Sequence, residues 1–205
     1  MDNQVKNGSA ELRVLLDPAA TFRELIQHQT AGLWVMLRRP LRLLFLVGCV
    51  VSLWASGRLS VRLIGDGVVS FAFVPVFELA ALAAVYCRGS RRVSFAHAAD
   101  LFFGANAPWL LWLTAFAMLR CLQSSMQAIA PPMPLAWATE LSLVPVAAWS
   151  AYIDLHFFRE VLPRPGGTAG SARGDLILQR AIGWTCTIGY FLGIAIWPEI
   201  VGRIG

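Results

Sequence analysis

Glu78 stands near the middle of an otherwise apolar run, Val68 to Cys87. An ionisable side chain held in hydrocarbon costs several kcal/mol unless it is paired or wetted, so such a residue is a candidate for chemistry. Three residues earlier Pro75 lacks an N–H, which leaves the carbonyl of Phe71 without its helical donor, kinks the helix and opens a polar pocket. Used functionally, Glu78 would be a proton or cation site. Used structurally, it would be a hydrogen-bonded carboxyl tying its helix to a Thr, Ser or Trp of a neighbour. Glu140 lies about two turns into a later apolar run and is followed by Pro145, while Arg120 closes the preceding run on the same side. An Arg120–Glu140 ion pair that fixes helix register is the expected arrangement. Asp154 returns to a face similar to that of Glu140 after nearly four turns and is expected at the cytoplasmic boundary, beside His156 and Arg159. A proton path Glu140–Glu78–Asp154 can be drawn through these groups, but register-fixing pairs use the same residues more simply.

The remaining reactive residues do not assemble into a catalytic set. His28, His97 and His156 are far apart and lack metal-ligand spacing. Cys49 and Cys186 read as small apolar packing residues, Cys87 as a juxtamembrane thiol beside Arg88, and Cys121 has no evident disulfide partner. The glycine-rich stretch Pro163 to Gly174 lacks the Lys-Ser/Thr ending of a phosphate loop and follows no strand. No cofactor, metal or enzyme activity is therefore expected. Phe73-Val74-Pro75-Val76 is echoed by Leu143-Val144-Pro145-Val146, a pairing seen in broken-helix transporters, although two kinked helices arising by chance explain it better. Gly189 and Gly193 form a G-x-x-x-G step, which lets another helix backbone approach closely, either in the same bundle or from a second subunit.

The elements carrying these residues follow from composition. Of 205 residues, 57% are hydrophobic and 14% charged, and mean hydropathy is +0.61. Soluble domains carry nearer a quarter charged residues, and disordered chains carry still more charge and fewer apolar groups. The chain reads as an all-α, polytopic membrane bundle. Five stretches approach the roughly 20 apolar residues that a bilayer core requires, at about 36–57, 67–87, 101–122, 133–155 and 176–198, between an N-terminal segment 1–35 and a tail 201–205. Thirteen of the 17 Lys and Arg residues fall on the side of the N-terminus and four on the other. The positive-inside bias therefore places the N-terminus in the cytoplasm and the C-terminus outside. The +5 net charge is explained by these inward arginines, so nucleic acid is not an expected partner. Residues 1–35 contain no secretory signal peptide, and the first span serves as its own insertion signal. Trp34, Trp54, Trp137 and Trp197 suit interfacial positions, and Trp109, Trp112, Trp149 and Trp184 are expected to pack between helices.

Asp17-Pro18 is a helix start, with Asp as N-cap and Pro in the first turn. From there Phe22, Leu25, Ile26, Leu33 and Leu37 recur at roughly helical spacing, with Arg23, Glu24, Gln27 and His28 opposite. This amphipathic helix would lie along the cytoplasmic surface, with Arg23, Arg38 and Arg39 meeting anionic headgroups, or else dock on the protein's own loops. A second amphipathic piece begins at Ser94 and leads through Asp100 into the third span.

Leu15-Leu16-Asp17-Pro18, followed by Phe22 and Leu25, resembles the L-x-P-x-x-x-F-x-x-[LI] opening of bacterial members of the Yip family (Ypt/Rab-GTPase-interacting membrane proteins). Val93-Ser94-Phe95 feeding a span with an early proline, Pro108, is similar to that family as well. The resemblance implies five spans after a cytoplasmic segment and a non-enzymatic role. Eukaryotic relatives act in vesicle traffic, but their acidic N-terminal extension has no counterpart here, so a Rab-type partner is not carried over. Two functions remain open. One is a scaffold or accessory subunit of the bacterial inner membrane that binds lipid, other membrane proteins or its own copies. The other is a small proton- or ion-coupled transporter built on Glu78.

Overall fold

The computed structural model describes residues 12–28, 32–89, 92–126, 133–164, 166 and 169–204, of which residues 120, 123–126, 133–140, 169 and 195–204 are described as backbone only. Every regular element among the described residues is a helix.

After a helical turn at residues 12–16 comes α1 (Pro18–Gln27). Its start is the one read from sequence: Asp17 Oδ1 accepts from the Ala20 N–H at 3.0 Å, and the Thr21 hydroxyl donates to the Asp17 carbonyl at 2.7 Å. The apolar face does not continue unbroken to Leu37. His28 caps α1, and Gly32 takes a φ of 135°, a backbone conformation that side-chain-bearing residues rarely adopt. Leu33 therefore opens a new helix, α2 (Leu33–Ser56), which ends at Gly57 with φ 67° and its N–H on the Leu53 carbonyl at 2.9 Å.

The next two helices, α3 (Val61–Phe71) and α4 (Phe73–Tyr86), form one long element interrupted at Ala72. The interruption falls where Pro75 withholds a donor from the Phe71 carbonyl, and the Ala72 N–H turns instead to Val69 O at 3.3 Å. The expected second span thus begins earlier than residue 67 and is interrupted at Ala72. In the same way α5 (Phe95–Ala105) and α6 (Ala107–Met126) meet at 44° around Asn106, because Pro108 cannot donate to Gly104. By contrast, α7 (Met133–Glu160) continues through Pro145 as one helix, so the two Val-Pro-Val sequences do not make a symmetric pair of breaks. The last element, α8 (Ala169–Ile204), contains the expected fifth span.

Two helices among the described residues are long and apolar enough to cross a membrane, Val61–Tyr86 and Leu141–Glu160, and the bent pair Phe95–Ala105 with Ala107–Leu119 makes a third if counted as one span. The five crossings read from sequence thus stand at two to three. Arg38, Arg39 and Arg42 occupy the first half of α2. From Leu43 to Ser56 that helix extends roughly 14 residues, about 21 Å, less than the hydrocarbon thickness.

The core sits at one end of the bundle. Phe102 of α5 is fully buried among Phe103, Phe157 and Phe158, and Phe22 of α1 meets Phe157 edge to face with centroids 5.8 Å apart. Leu82, Val85, Ile153, Val161 and Ala172 complete it. At the other end Leu111, Met118, Leu141, Val144, Ile188 and Leu192 point outward, as do Trp149 and Trp184, which were expected to pack between helices. Helices α2 and α3 cross at backbone contact: a Cβ on Gly67 would stand 2.9 Å from Gly48 Cα, and one on Gly48 would stand 2.6 Å from the Ile64 carbonyl oxygen. That pair was not recognised in the sequence, because Gly48 and Gly67 belong to different helices and show no G-x-x-x-G spacing.

Candidate functional site

Four elements bring polar side chains to one place. The interruption at Ala72 sets the orientation of α4, which carries Glu78. Ser150 and Asp154, one turn apart, share a face of α7. Gln179 and Arg180 come from α8, and Asn106 comes from the break between α5 and α6. Arg180 Nη2 donates to Asp154 Oδ2, and its Nη1 lies 3.8 Å from Glu78 Oε1. Asn106 gives Glu78 a side-chain hydrogen bond. Two carboxylates thus face one guanidinium.

The hydrogen bonding around this group is incomplete. Asp154 Oδ1, Gln179 Oε1 and Ser150 Oγ are buried with no hydrogen-bond partner among the described residues. Of these, Gln179 lines a cavity of about 220 Å³ between α4 and α8, together with Phe77, Glu78, Arg180, Trp184 and Thr187, with Val74 and Gly183 at its sides. Tyr190 stacks on Phe73 at 4.4 Å and meets Phe77 edge-on at 6.0 Å, packing α8 against α4 next to the cavity.

A second group lies where α2 meets α5. Arg38 binds Asp100 in bidentate fashion at 3.0 Å and 3.0 Å, and Arg39 Nε adds a contact of 3.0 Å to Asp100 Oδ1. Gly104 makes room for it, because a Cβ there would collide with Arg39 Nη1. His97 Nε2 lies 3.2 Å from the Leu25 carbonyl oxygen and connects α5 with α1. Arg23 reaches Glu160 through bonds of 2.8 Å and 3.0 Å, and the hydrogen bond to that carboxylate, with its charge, raises the Arg23 pKa above the ordinary arginine value. Arg164 pairs with Asp175.

Several sequence expectations change. Asp154 was expected at the cytoplasmic boundary with His156 and Arg159 beside it. It has no exposed surface, and its partner is Arg180. Glu78 is met by Arg180 and Asn106 rather than by Thr, Ser or Trp. Arg23, Arg38 and Arg39, read as lipid-surface residues, each have a carboxylate partner within the chain, and α1 packs against α7. Gly189 and Gly193 have open space where a Cβ would lie, so no helix among the described residues occupies that step. The side chains of Arg120 and Glu140 lie outside the described residues, and with them the expected pair and the path through Glu140. Arg180 is the residue that sequence reasoning missed as a site. Its position inside the expected span 176–198 was the available signal, since a charge there needs a partner as much as Glu78 does. No group of three or more potential metal ligands occurs among the described residues.

No protein-family model, no curated protein and no solved structure matches the chain.

Proposed function

We propose that the chain is a non-enzymatic, multi-pass protein of the bacterial inner membrane that acts as a scaffold or accessory subunit, binding other membrane proteins, its own copies or lipid. Helices α2 and α8 would supply the crossings beyond the two to three apolar ones, with α1 at the cytoplasmic surface, the N-terminus inside and the C-terminus outside. This layout agrees with the Yip-like opening Leu15 to Leu25. The observation that carries the reading is the use made of charge: Arg23, Arg38, Arg39 and Arg180 each close on a carboxylate from another helix, and the Gly189–Gly193 step is left uncovered. Buried pairs of this kind hold helices in register, and an uncovered small-residue step suits a helix from outside the chain. Purification in mild detergent followed by light scattering and mass spectrometry is expected to return a stoichiometric partner or a homo-oligomer. A bare monomer in every detergent tried would count decisively against the reading. Reporter fusions at the two ends should label opposite sides of the membrane.

A second reading, a small proton- or ion-coupled transporter, is favoured by the cavity that Glu78 and Gln179 line. Flux into liposomes tests it, because equal rates for wild type and Glu78→Gln would remove it.

A further inference from the structure

The arginines at the core end of the bundle divide into two groups. Arg23, Arg38, Arg39, Arg164 and Arg180 each close on a carboxylate. The guanidinium groups of Arg88 and Arg173 are exposed and make no ion pair or hydrogen bond among the described residues. The sequence leaves them uncompensated as well. No acidic residue stands between Glu78 and Asp100, and Asp175, two residues from Arg173, is 2% exposed and held by Arg164.

These two arginines border one groove. A helix turns about 100° per residue, so residues seven or eleven apart lie within about 20° of one face. On α4 that face carries Phe77, Ala84 and Arg88, because Cys87 keeps helical dihedrals and Arg88 follows the same path. On α8 it carries Arg173, Ile177 and Trp184. Phe77 and Trp184 line the same cavity between the two helices, so both faces open on one side of the pair. Glu78 meets Arg180 and Phe73 meets Tyr190, which makes the helices antiparallel. Arg88 and Arg173 therefore stand at the same end of the groove, each about 16.5 Å along its helix from the cavity residue.

Between the arginines and the cavity the groove is apolar and open: Ala84 is exposed, and Ile177 is exposed by 67%. Arg88 lies two residues beyond the apolar helix Val61–Tyr86, the depth at which hydrocarbon gives way to headgroups. Guanidinium groups hold phosphate oxygens through paired N–H donors. Two of them at the end of an apolar groove complement an amphiphile with an anionic head. An acidic protein segment would match the arginines but gain nothing from Ala84, Ile177 and Trp184. We propose that the α4–α8 groove binds an anionic phospholipid, its phosphate between Arg88 and Arg173 and an acyl chain over Ala84 and Ile177 toward Phe77 and Trp184. The inference rests on the membrane layout proposed above and names the lipid that this layout would hold. It requires no transport.

The test uses the full chain in phosphatidylcholine nanodiscs doped with phosphatidylglycerol or phosphatidylcholine that carries brominated chains, which quench tryptophan on contact. A chain that is not a membrane protein will not enter the discs, so failure of the layout is seen before the lipid series begins. Brominated phosphatidylglycerol should quench at a lower mole fraction than brominated phosphatidylcholine, by about fivefold for each arginine engaged. Trp184→Phe should abolish that difference, because the groove places the chain there. Arg88→Gln with Arg173→Gln should abolish it too, whereas Arg62→Gln, a charge loss at the other end of the bundle, should leave it intact. Equal quenching by the two lipids in the wild type, or a preference that survives Trp184→Phe, would overturn the proposal. So would an equal loss in Arg62→Gln, which would reduce the effect to overall charge. Equal quenching together with a co-purifying protein that Arg88→Gln and Arg173→Gln release would assign the arginines to a protein partner instead. The lipid comparison on the wild type and Trp184→Phe decides the matter even if an arginine variant does not fold.

Discussion

Arg180 of α8 donates to Asp154 of α7, a carboxylate with no exposed surface, while its second terminal nitrogen faces Glu78 of α4 at 3.8 Å. Three helices are thereby tied through one side chain. Removing one partner of a buried pair leaves the other charge unpaired, which costs about 3–5 kcal/mol. Arg180→Met should lower stability by that amount in a reversible detergent-unfolding assay. Adding Glu78→Gln and Asp154→Asn to it should restore most of the loss, since no uncompensated charge then remains.

Glycine positions divide sharply by what surrounds them. Gly104→Ala would drive a methyl group into the Arg39 guanidinium and displace it from Asp100. A loss of about 1–3 kcal/mol is expected, and Arg39→Ala in the same chain should recover part of it. Gly189→Ala meets open space, so the unfolding midpoint of the monomer should hardly change. Thermal melts of the two single variants side by side would separate the cases.

The same open step makes a different prediction for assembly. Gly189→Leu together with Gly193→Leu should leave the monomer's stability within about 0.5 kcal/mol and abolish whatever oligomer or partner complex uses that face. Light scattering and co-purification read the second effect, and a melt reads the first. Unchanged assembly would show that the face is covered by lipid alone.

Phe102 is enclosed by Phe103, Phe157 and Phe158 and has no exposed surface. Phe102→Ala should cost about 3–5 kcal/mol through lost contacts and an unfilled cavity. Arg23→Ala should behave differently. The Arg23 side chain is 64% exposed, so solvent screens its bond to Glu160 and the loss of that bond should barely move the unfolding midpoint. That minor effect should shrink further in high salt, while the Phe102 effect persists.

The helical class, the start of α1 and the interruption ahead of Pro75 were legible in the residues. Each depends on local rules: the 20-residue apolar run, the Asp-Pro cap, and a missing N–H at Pro75; the 44° bend ahead of Pro108 was not read from the sequence. Pro145 shows where such a rule stops, because α7 continues through it unbroken. Hydropathy counted five apolar runs, yet it could not tell a run that faces lipid from one that is inside the protein, and α5 proved to be almost entirely buried.

Glu78 and Asp154 stood out as charges in apolar sequence, and their type alone required partners. Which partners they have depends on how α4, α7 and α8 rotate and slide against one another, and no spacing within a single helix encodes that. Arg180 stands 26 residues from Asp154 and 102 from Glu78, and Arg38 and Arg39 stand 62 and 61 from Asp100. Charge placement by itself drew Arg38 and Arg39 toward the membrane surface, because the positive-inside bias counts residues and is blind to pairing. Tertiary packing decided that they close on carboxylates, and it put Gln179, whose Oε1 has no partner among the described residues, into the lining of a cavity.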